Sequence, residues 1–218
     1  MRTSSAAKSA VQKTPRKPLP PKVAALLRES WWLLLIGAAL YLVLILVTYS
    51  KSDPGWSHQV SGSQVVNAGG KAGAWIADVA LYIFGLSAWW WVLFLIGAVV
   101  WGYRRIEVAT ASDRRSIAVA CAGFFILIAS SSAFESLRLH SLKAQLPQSP
   151  GGVLGELVSG LMARGFGFTG STLILLILWG VGFSLLTGLS WVVIIEKLGS
   201  AIESTYVSIK SFHLVVKY

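Results

Sequence analysis

Four stretches of this chain run for about twenty residues or more without a charged side chain: Ser30–Ser50, Val79–Tyr103, Ser116–Phe134 and Gly165–Ile195. A helix rises ~1.5 Å per residue, so roughly twenty apolar residues cross the ~30 Å hydrocarbon core of a bilayer. Only short segments separate the four. The expected fold class is therefore all-α integral membrane, with four transmembrane helices. Composition agrees, because hydrophobic residues are 55% of the chain and charged residues only 13%, against about 25% in soluble domains. Such helices associate inside lipid by close packing and hydrogen bonds. One domain is expected, 30–199, with a basic, disordered cytoplasmic arm before it (1–29) and a short cytoplasmic tail after it (200–218).

Charge sets the expected orientation. The net charge is +10, and most of the basic residues lie in the arm (Arg2, Lys8, Lys13, Arg16, Lys17, Lys22, Arg28), between the second and third stretches (Arg104, Arg105, Arg114, Arg115) and in the tail (Lys197, Lys210, Lys217). The other two connections are poorer in Lys and Arg. The positive-inside rule then puts both termini and the middle loop in the cytoplasm. The arm is basic enough to meet nucleic acid. It has no aromatic residue before Trp31 for base stacking, however, so its charge reads as topogenic and lipid-facing. The first stretch starts too deep and runs too long for a cleaved signal peptide and is expected to remain as an anchor.

No active site is visible. No ionisable residue lies inside the four stretches as drawn, which argues against an ion-coupled transporter. His58, His140 and His213 are far apart, and the single Cys121 excludes an intrachain disulfide. The one Gly-Lys step, Gly70-Lys71, is followed by Ala72 and has Val65 where a phosphate loop needs glycine. No serine sits in a nucleophile elbow. No catalytic, cofactor-binding or metal-ligating residue is expected, and no cofactor.

The first outside loop has a texture of its own. It carries Asp53-Pro54-Gly55-Trp56, then Gly69-Gly70-Lys71-Ala72-Gly73-Ala74-Trp75 and Asp78. Asp-Pro-Gly predicts a turn in which Asp53 holds its own backbone. Trp56 and Trp75 suit the headgroup level, and Gly69, Gly70 and Gly73 allow a close backbone approach. In the second outside loop, Val153, Leu154, Leu157, Val158, Leu161 and Met162 predict a short interfacial helix, too short to span. Gly180, Ser184 and Gly188 recur every four residues in the fourth stretch, a spacing that lets helices approach closely, within the chain or between subunits. Ser130-Ser131-Ser132 can bond back to helical carbonyls. Ile202, Tyr206, Ile209, Phe212 and Val216 predict a helix continuing along the inner surface.

These motifs, with Gly151-Gly152-Val153-x-Gly155, Leu186-Thr187-Gly188-x-Ser190-Trp191 and Glu196-Lys197-Leu198-Gly199, resemble the N-terminal membrane domain of the FtsK/SpoIIIE family of septal DNA translocases over roughly 28–199. The resemblance implies a membrane-anchoring, septum-targeting domain for cell division and chromosome segregation, in the bacterial inner membrane. In the family a linker and a hexameric ATPase follow. Only a short segment follows Ile195 here, so the chain is expected to be a fragment of a translocase or a separately encoded membrane half, without the motor and not itself an enzyme. The expected partners are the lipid bilayer and membrane proteins of the division machinery. Assembly as a homo-oligomer stays open, and no direct sequence-specific nucleic-acid binding is expected. The alternative function is a small passive membrane channel or transporter subunit. A polar file along one face of a span would distinguish it, and the sequence holds none.

Overall fold

A computed structural model describes residues 20–58, 65–104, 113–139 and 146–216. Every regular element among them is helical: α1 (Pro21–Val47), α2 (Gly70–Phe84), α3 (Trp89–Arg104), α4 (Asp113–Arg138), α5 (Gly152–Thr187) and α6 (Trp191–Val216). Four segments are long and apolar enough to cross a membrane: Glu29–Val47, Gly70–Val100, Ile117–Arg138 and Gly152–Thr187. Their outward faces are apolar and exposed, as at Leu33, Leu40, Leu173 and Ile177. In lipid that exposure carries no penalty. The expected disorder of residues 1–19, His140, and the charge of the 105–112 connection fall outside the described residues.

The bundle is built from two antiparallel helical hairpins. α1 pairs with α3, and α4 pairs with α5 along the longest contact in the molecule. Both hairpins turn at the same end, which carries the 48–69 and 139–151 connections. This is called the distal end here; the proximal end holds the start of α1 and the turn from α5 into α6.

Four expectations change in the structure. First, the helix of the first span begins at Pro21, the point up to which disorder is expected, so α1 takes in residues 21–29 of the basic arm; proline at the first helical position suits a helix start. Second, Val79–Tyr103 is not one rod. α2 and α3 are separated by a 3-10 turn, Gly85–Ala88. Gly69 and Gly73 lie beside Tyr41 and Ile45, whereas Asp78 reaches Tyr49. α2 therefore rises in the same sense as the last turns of α1, and α3 then descends. The glycines read as loop residues consequently open a helix. Third, the expected interfacial helix is the first part of α5. It continues into the fourth span through Gly167, whose φ of 66° and ψ of 178° break the helical path. The stripe residues Leu157 and Leu161 are exposed, while Gly152, Gly155 and Ser159 face inward and are buried. Fourth, the last stretch does not run to Ile195. Gly188 caps α5 with φ 70° and its N–H on the Ser184 carbonyl, and the tail forms a separate helix, α6.

Candidate functional site

Most of the buried polar side chains among the described residues gather at the distal end: Asp53, Asn67, Asp78, Ser87, Ser131, Ser132 and Glu135. Each carboxylate there ties one segment to another. Buried polar groups are costly unless hydrogen-bonded, and these are bonded.

Asp53 does not hold its own turn as expected. Its two oxygens accept the backbone N–H groups of Val66 (2.7 Å) and Asn67 (2.8 Å), across the 59–64 segment. Asn67 extends the link. Its amide donates to the Ile45 carbonyl on α1 (2.9 Å) and its side-chain oxygen accepts the Gly69 N–H (2.9 Å). Thr48 accepts from the Ala68 N–H (3.1 Å) and donates back to the Leu44 carbonyl. The end of α1 thus holds both ends of the first distal connection.

Asp78 is 1% exposed. Oδ1 accepts the Tyr49 hydroxyl (3.1 Å) and the Ser57 hydroxyl (3.0 Å), and Oδ2 accepts the Ser57 N–H (2.6 Å). Burial, and after it the Asp78 charge, hold the Tyr49 phenol well above its ordinary pKa. Gly55 packs so closely on Asp78 that a Cβ would meet the carboxylate carbon at 2.6 Å. Ser57, His58 and Asp78 name the members of a nucleophilic relay but are not arranged as one. Ser57 Oγ (2.9 Å) and Asp78 Oδ1 (3.7 Å) both lie at His58 Nδ1, whereas Nε2 is engaged with the Lys51 carbonyl (2.8 Å). A relay needs the serine and the carboxylate on opposite ring nitrogens.

Glu135 is the residue that the sequence reading missed. It lies one position beyond Ser116–Phe134, but α4 continues to Arg138, so the side chain is inside the bundle. Its oxygens accept the Ser87 N–H (3.0 Å), the Ser87 hydroxyl (2.8 Å) and the Ser131 hydroxyl (3.1 Å), and the Trp90 indole donates to Ser131 (3.1 Å). The serine triplet therefore divides. Ser130 bonds back to Ile126 and Leu127, as expected, but Ser131 serves Glu135 and Ser132 reaches the Phe84 carbonyl (3.2 Å). The available signal was Ser131 and Glu135 four apart on one helical face.

Between these pins the backbones themselves cross. The Leu86 N–H donates to the Pro150 carbonyl (2.7 Å). Gly85 (φ 60°) and Gly152 (φ 63°) take a conformation that L side chains rarely adopt. A Cβ on Gly85 would strike the Pro150 carbonyl, and one on Gly152 would strike the Ile83 carbonyl. Gly151 and Gly155 rest on the Ser132 carbonyl of α4.

The remaining sequence candidates take distinct places. Gly69 and Gly73 lie against Ile45 and Tyr41, but a Cβ on Gly70 would meet open space, and Gly70 is distinguished by its φ of 66°. Pro54 is half-buried, and Trp56, exposed, meets Tyr82 edge-on at 5.1 Å. Trp75 is exposed on α2. Gly180, Ser184 and Gly188 are used by the chain's own turn into α6: the Trp191 indole donates to the Gly180 carbonyl (3.0 Å) and the Ser184 hydroxyl to the Leu189 carbonyl (2.8 Å). The small-residue crossing between α4 and α5 is made by Gly123 and Gly182 instead. Among the described residues no three His, Cys, Asp or Glu side chains gather as a metal site would require. The polar pins stiffen the distal connections; Trp56 and Val66 are exposed there, whereas Trp75 and Ile76 are exposed on the outward face of the Gly70–Val100 span, in a groove shared with Leu42.

The fold and this pinned distal end define an all-helical, four-span membrane domain whose polar groups hold segments in register. The chain belongs to the FtsK/SpoIIIE family: residues 24–199 match the model of the 4TM region of DNA translocase FtsK/SpoIIIE. It is 40% identical over 198 residues to DNA translocase FtsK 2 of Ralstonia nicotianae, covering 88% of this chain and 25% of that protein. It is 37% identical over 174 residues to DNA translocase FtsK of Shewanella oneidensis, covering 80% and 18%. It is 34% identical over 197 residues to DNA translocase FtsK 1 of Neisseria meningitidis serogroup A, covering 89% and 24%. The chain thus spans a quarter or less of the length of these relatives, and its family match lies in their membrane region. No solved structure matches it.

Proposed function

We propose that this chain is the membrane-anchoring and septum-targeting domain of a DNA translocase acting in cell division and chromosome segregation, with both termini in the cytoplasm. The observation that carries this reading is the match of residues 24–199 to the four-span region of translocases. The DNA translocation named in the relatives belongs, in this reading, to the whole protein and not to these residues. The distal connections then face away from the cytoplasm, and membrane proteins of the division machinery can meet Trp56 there and Trp75 on the outward face of α2. The buried carboxylates support anchoring rather than conduction, because they cluster at one end and are occupied by hydrogen bonds instead of lining a path.

The test is a fluorescent fusion of the 218-residue chain in dividing cells. Accumulation at the septum is expected; even distribution over the membrane would remove the targeting claim. Trp56→Ala and Trp75→Ala change exposed residues, so they should leave insertion intact while reducing septal accumulation. For orientation, Cys121 is replaced and single cysteines are placed at Ser63 or Ser4. An impermeant thiol reagent should label the first and spare the second in intact cells with a permeable outer layer.

A further inference from the structure

Three side chains tie the first distal connection to α2 in series. His58 Nε2 lies 2.8 Å from the Lys51 carbonyl, and Nδ1 lies 2.9 Å from Ser57 Oγ, which is 3.0 Å from Asp78 Oδ1. The protons in this chain can be counted. A carbonyl only accepts, so Nε2 carries a hydrogen. Turning the ring over would set carbons against both oxygens. Asp78 takes the Tyr49 hydroxyl and the Ser57 N–H as well, so it acts as the accepting carboxylate. The Ser57 hydroxyl has one hydrogen. Beside a neutral ring it faces two acceptors, Nδ1 and Oδ1, and one of them must turn to water. The Nδ1 lone pair then also lies 3.7 Å from the carboxylate. Beside an imidazolium the count closes. Nδ1–H donates to Ser57, Ser57 donates to Asp78, and opposite charges meet across that same 3.7 Å.

We propose that His58 is a proton-operated latch: in acid its imidazolium fastens the turn that carries Trp56 onto α2, through Ser57 and Asp78. The other ionisable groups nearby are few. The end of α1 brings Tyr49, whose phenol is held well above its ordinary range and stays neutral. The connection itself brings Lys51, whose carbonyl is the part engaged, and Asp53, already taken by the Val66 and Asn67 N–H groups. The 59–64 segment has no ionisable side chain. Besides Asp78, α2 brings Tyr82, which lies against Trp56. The imidazolium is bonded in the folded chain and only hydrated in the unfolded one, so its proton favours the closed turn. That contribution is complete below the unfolded imidazole value of about 6.5. It is lost as pH rises past the point at which the folded ring gives the proton up. Withdrawal removes one bond of several, so the turn loosens without being released. In the orientation proposed above the proton comes from outside the cytoplasm; that point rests on that reading and is tested by the thiol labelling, not by the titration below.

The experiment follows amide hydrogen exchange of the full chain in detergent between about pH 8 and about pH 5.5, the range over which an imidazole titrates. Rates are corrected for the intrinsic pH dependence of exchange and mapped to peptides by mass spectrometry. Protection of the peptide holding Gly55–His58 should rise about two- to fivefold in acid, the range of a partly exposed ion pair. His58→Gln should remove that gain, whereas His140→Gln and His213→Gln should keep it. Ser57→Ala, at an exposed position, should remove most of it, because the hydroxyl carries the bond from ring to carboxylate. Where His58→Gln does not fold, nitrogen-15 spectra of the chain with only His140 and His213 replaced decide. At about pH 5.5 the remaining ring should hold its Nδ1 proton against rapid exchange with water. The proposal is overturned if protection of the turn is unchanged or falls in acid, or if His58→Gln or Ser57→Ala keeps the full gain. It is also overturned if that Nδ1 proton exchanges as freely as in free imidazole.

Discussion

The two ends of this bundle solve the same packing problem in opposite ways. At the distal end, glycines and carboxylates bring backbones into direct contact: Gly85 on Pro150, Gly152 on Ile83, Gly151 on Ser132. Toward the proximal end, Trp91, Phe94 and Phe124 lie between the two hairpins and small residues border a cavity, while α4 and α5 still close on each other through Gly123 and Gly182. Glycine is present at both ends, but its role is decided by what faces it. A membrane domain gains no water-driven core, so its rigidity must be placed where specific hydrogen bonds and close contacts can be made. Here it is placed around the two connections.

The sharpest way to break this contrast is to add one methyl group at the crossing. Gly85→Ala or Gly152→Ala meets both a backbone clash and a strained φ, costing about 3–5 kcal/mol. Loss of folded protein in a detergent thermal-stability assay is the expected outcome. Removing a pin comes next. Asp78→Ala or Glu135→Ala leaves buried donors unpaired, at about 2–4 kcal/mol, and the asparagine or glutamine variant should recover part of it. Equal losses in the isosteric and alanine variants would show that the bonds do not matter.

The Tyr49 phenol gives a smaller, pH-dependent effect. Its pKa is raised on folding, so the stability it contributes is complete below the unfolded value of about 10 and is lost as pH rises beyond it. Tyr49→Phe should flatten that alkaline decline in melting temperature. Gly70→Ala should cost only about 1 kcal/mol, because its φ is positive but the space is open. Last, Gly97→Ala should change stability by less than about 0.5 kcal/mol. A loss there as large as at Gly85 would erase the distinction between the ends.

The spans were legible because length without charge is a property of the local sequence. What was not legible depended on partners far along the chain. Little around Gly85 announces a break: no proline intervenes and only Ser87 is polar, and the turn is fixed by distant partners, the Pro150 carbonyl on Leu86 and the Glu135 carboxylate on Ser87. Asp53 was read through its neighbours Pro54 and Gly55, yet its bonds go to Val66 and Asn67. Glu135 is not legible because a first charge ordinarily marks the end of a span, whereas a carboxylate whose bonds come from Ser87 and Ser131 does not end a helix. Gly180, Ser184 and Gly188 showed the correct small-residue spacing, but a repeat cannot say which element returns to it. Here it is Trp191, from just beyond the turn.

The crossing of Leu86, Ser132 and Pro150 has a consequence for biogenesis. Its members come from three separated parts of the chain, and the last of them, Gly151 and Gly152, are synthesised after three spans have already entered the bilayer. Until that segment is carried across, the Leu86 amide has no carbonyl to meet and Ser132 faces no glycine. The nascent domain therefore passes through an interval in which its first three spans are inserted but not locked. During that interval, an insertase or a membrane protease would meet a chain whose polar groups are still seeking partners.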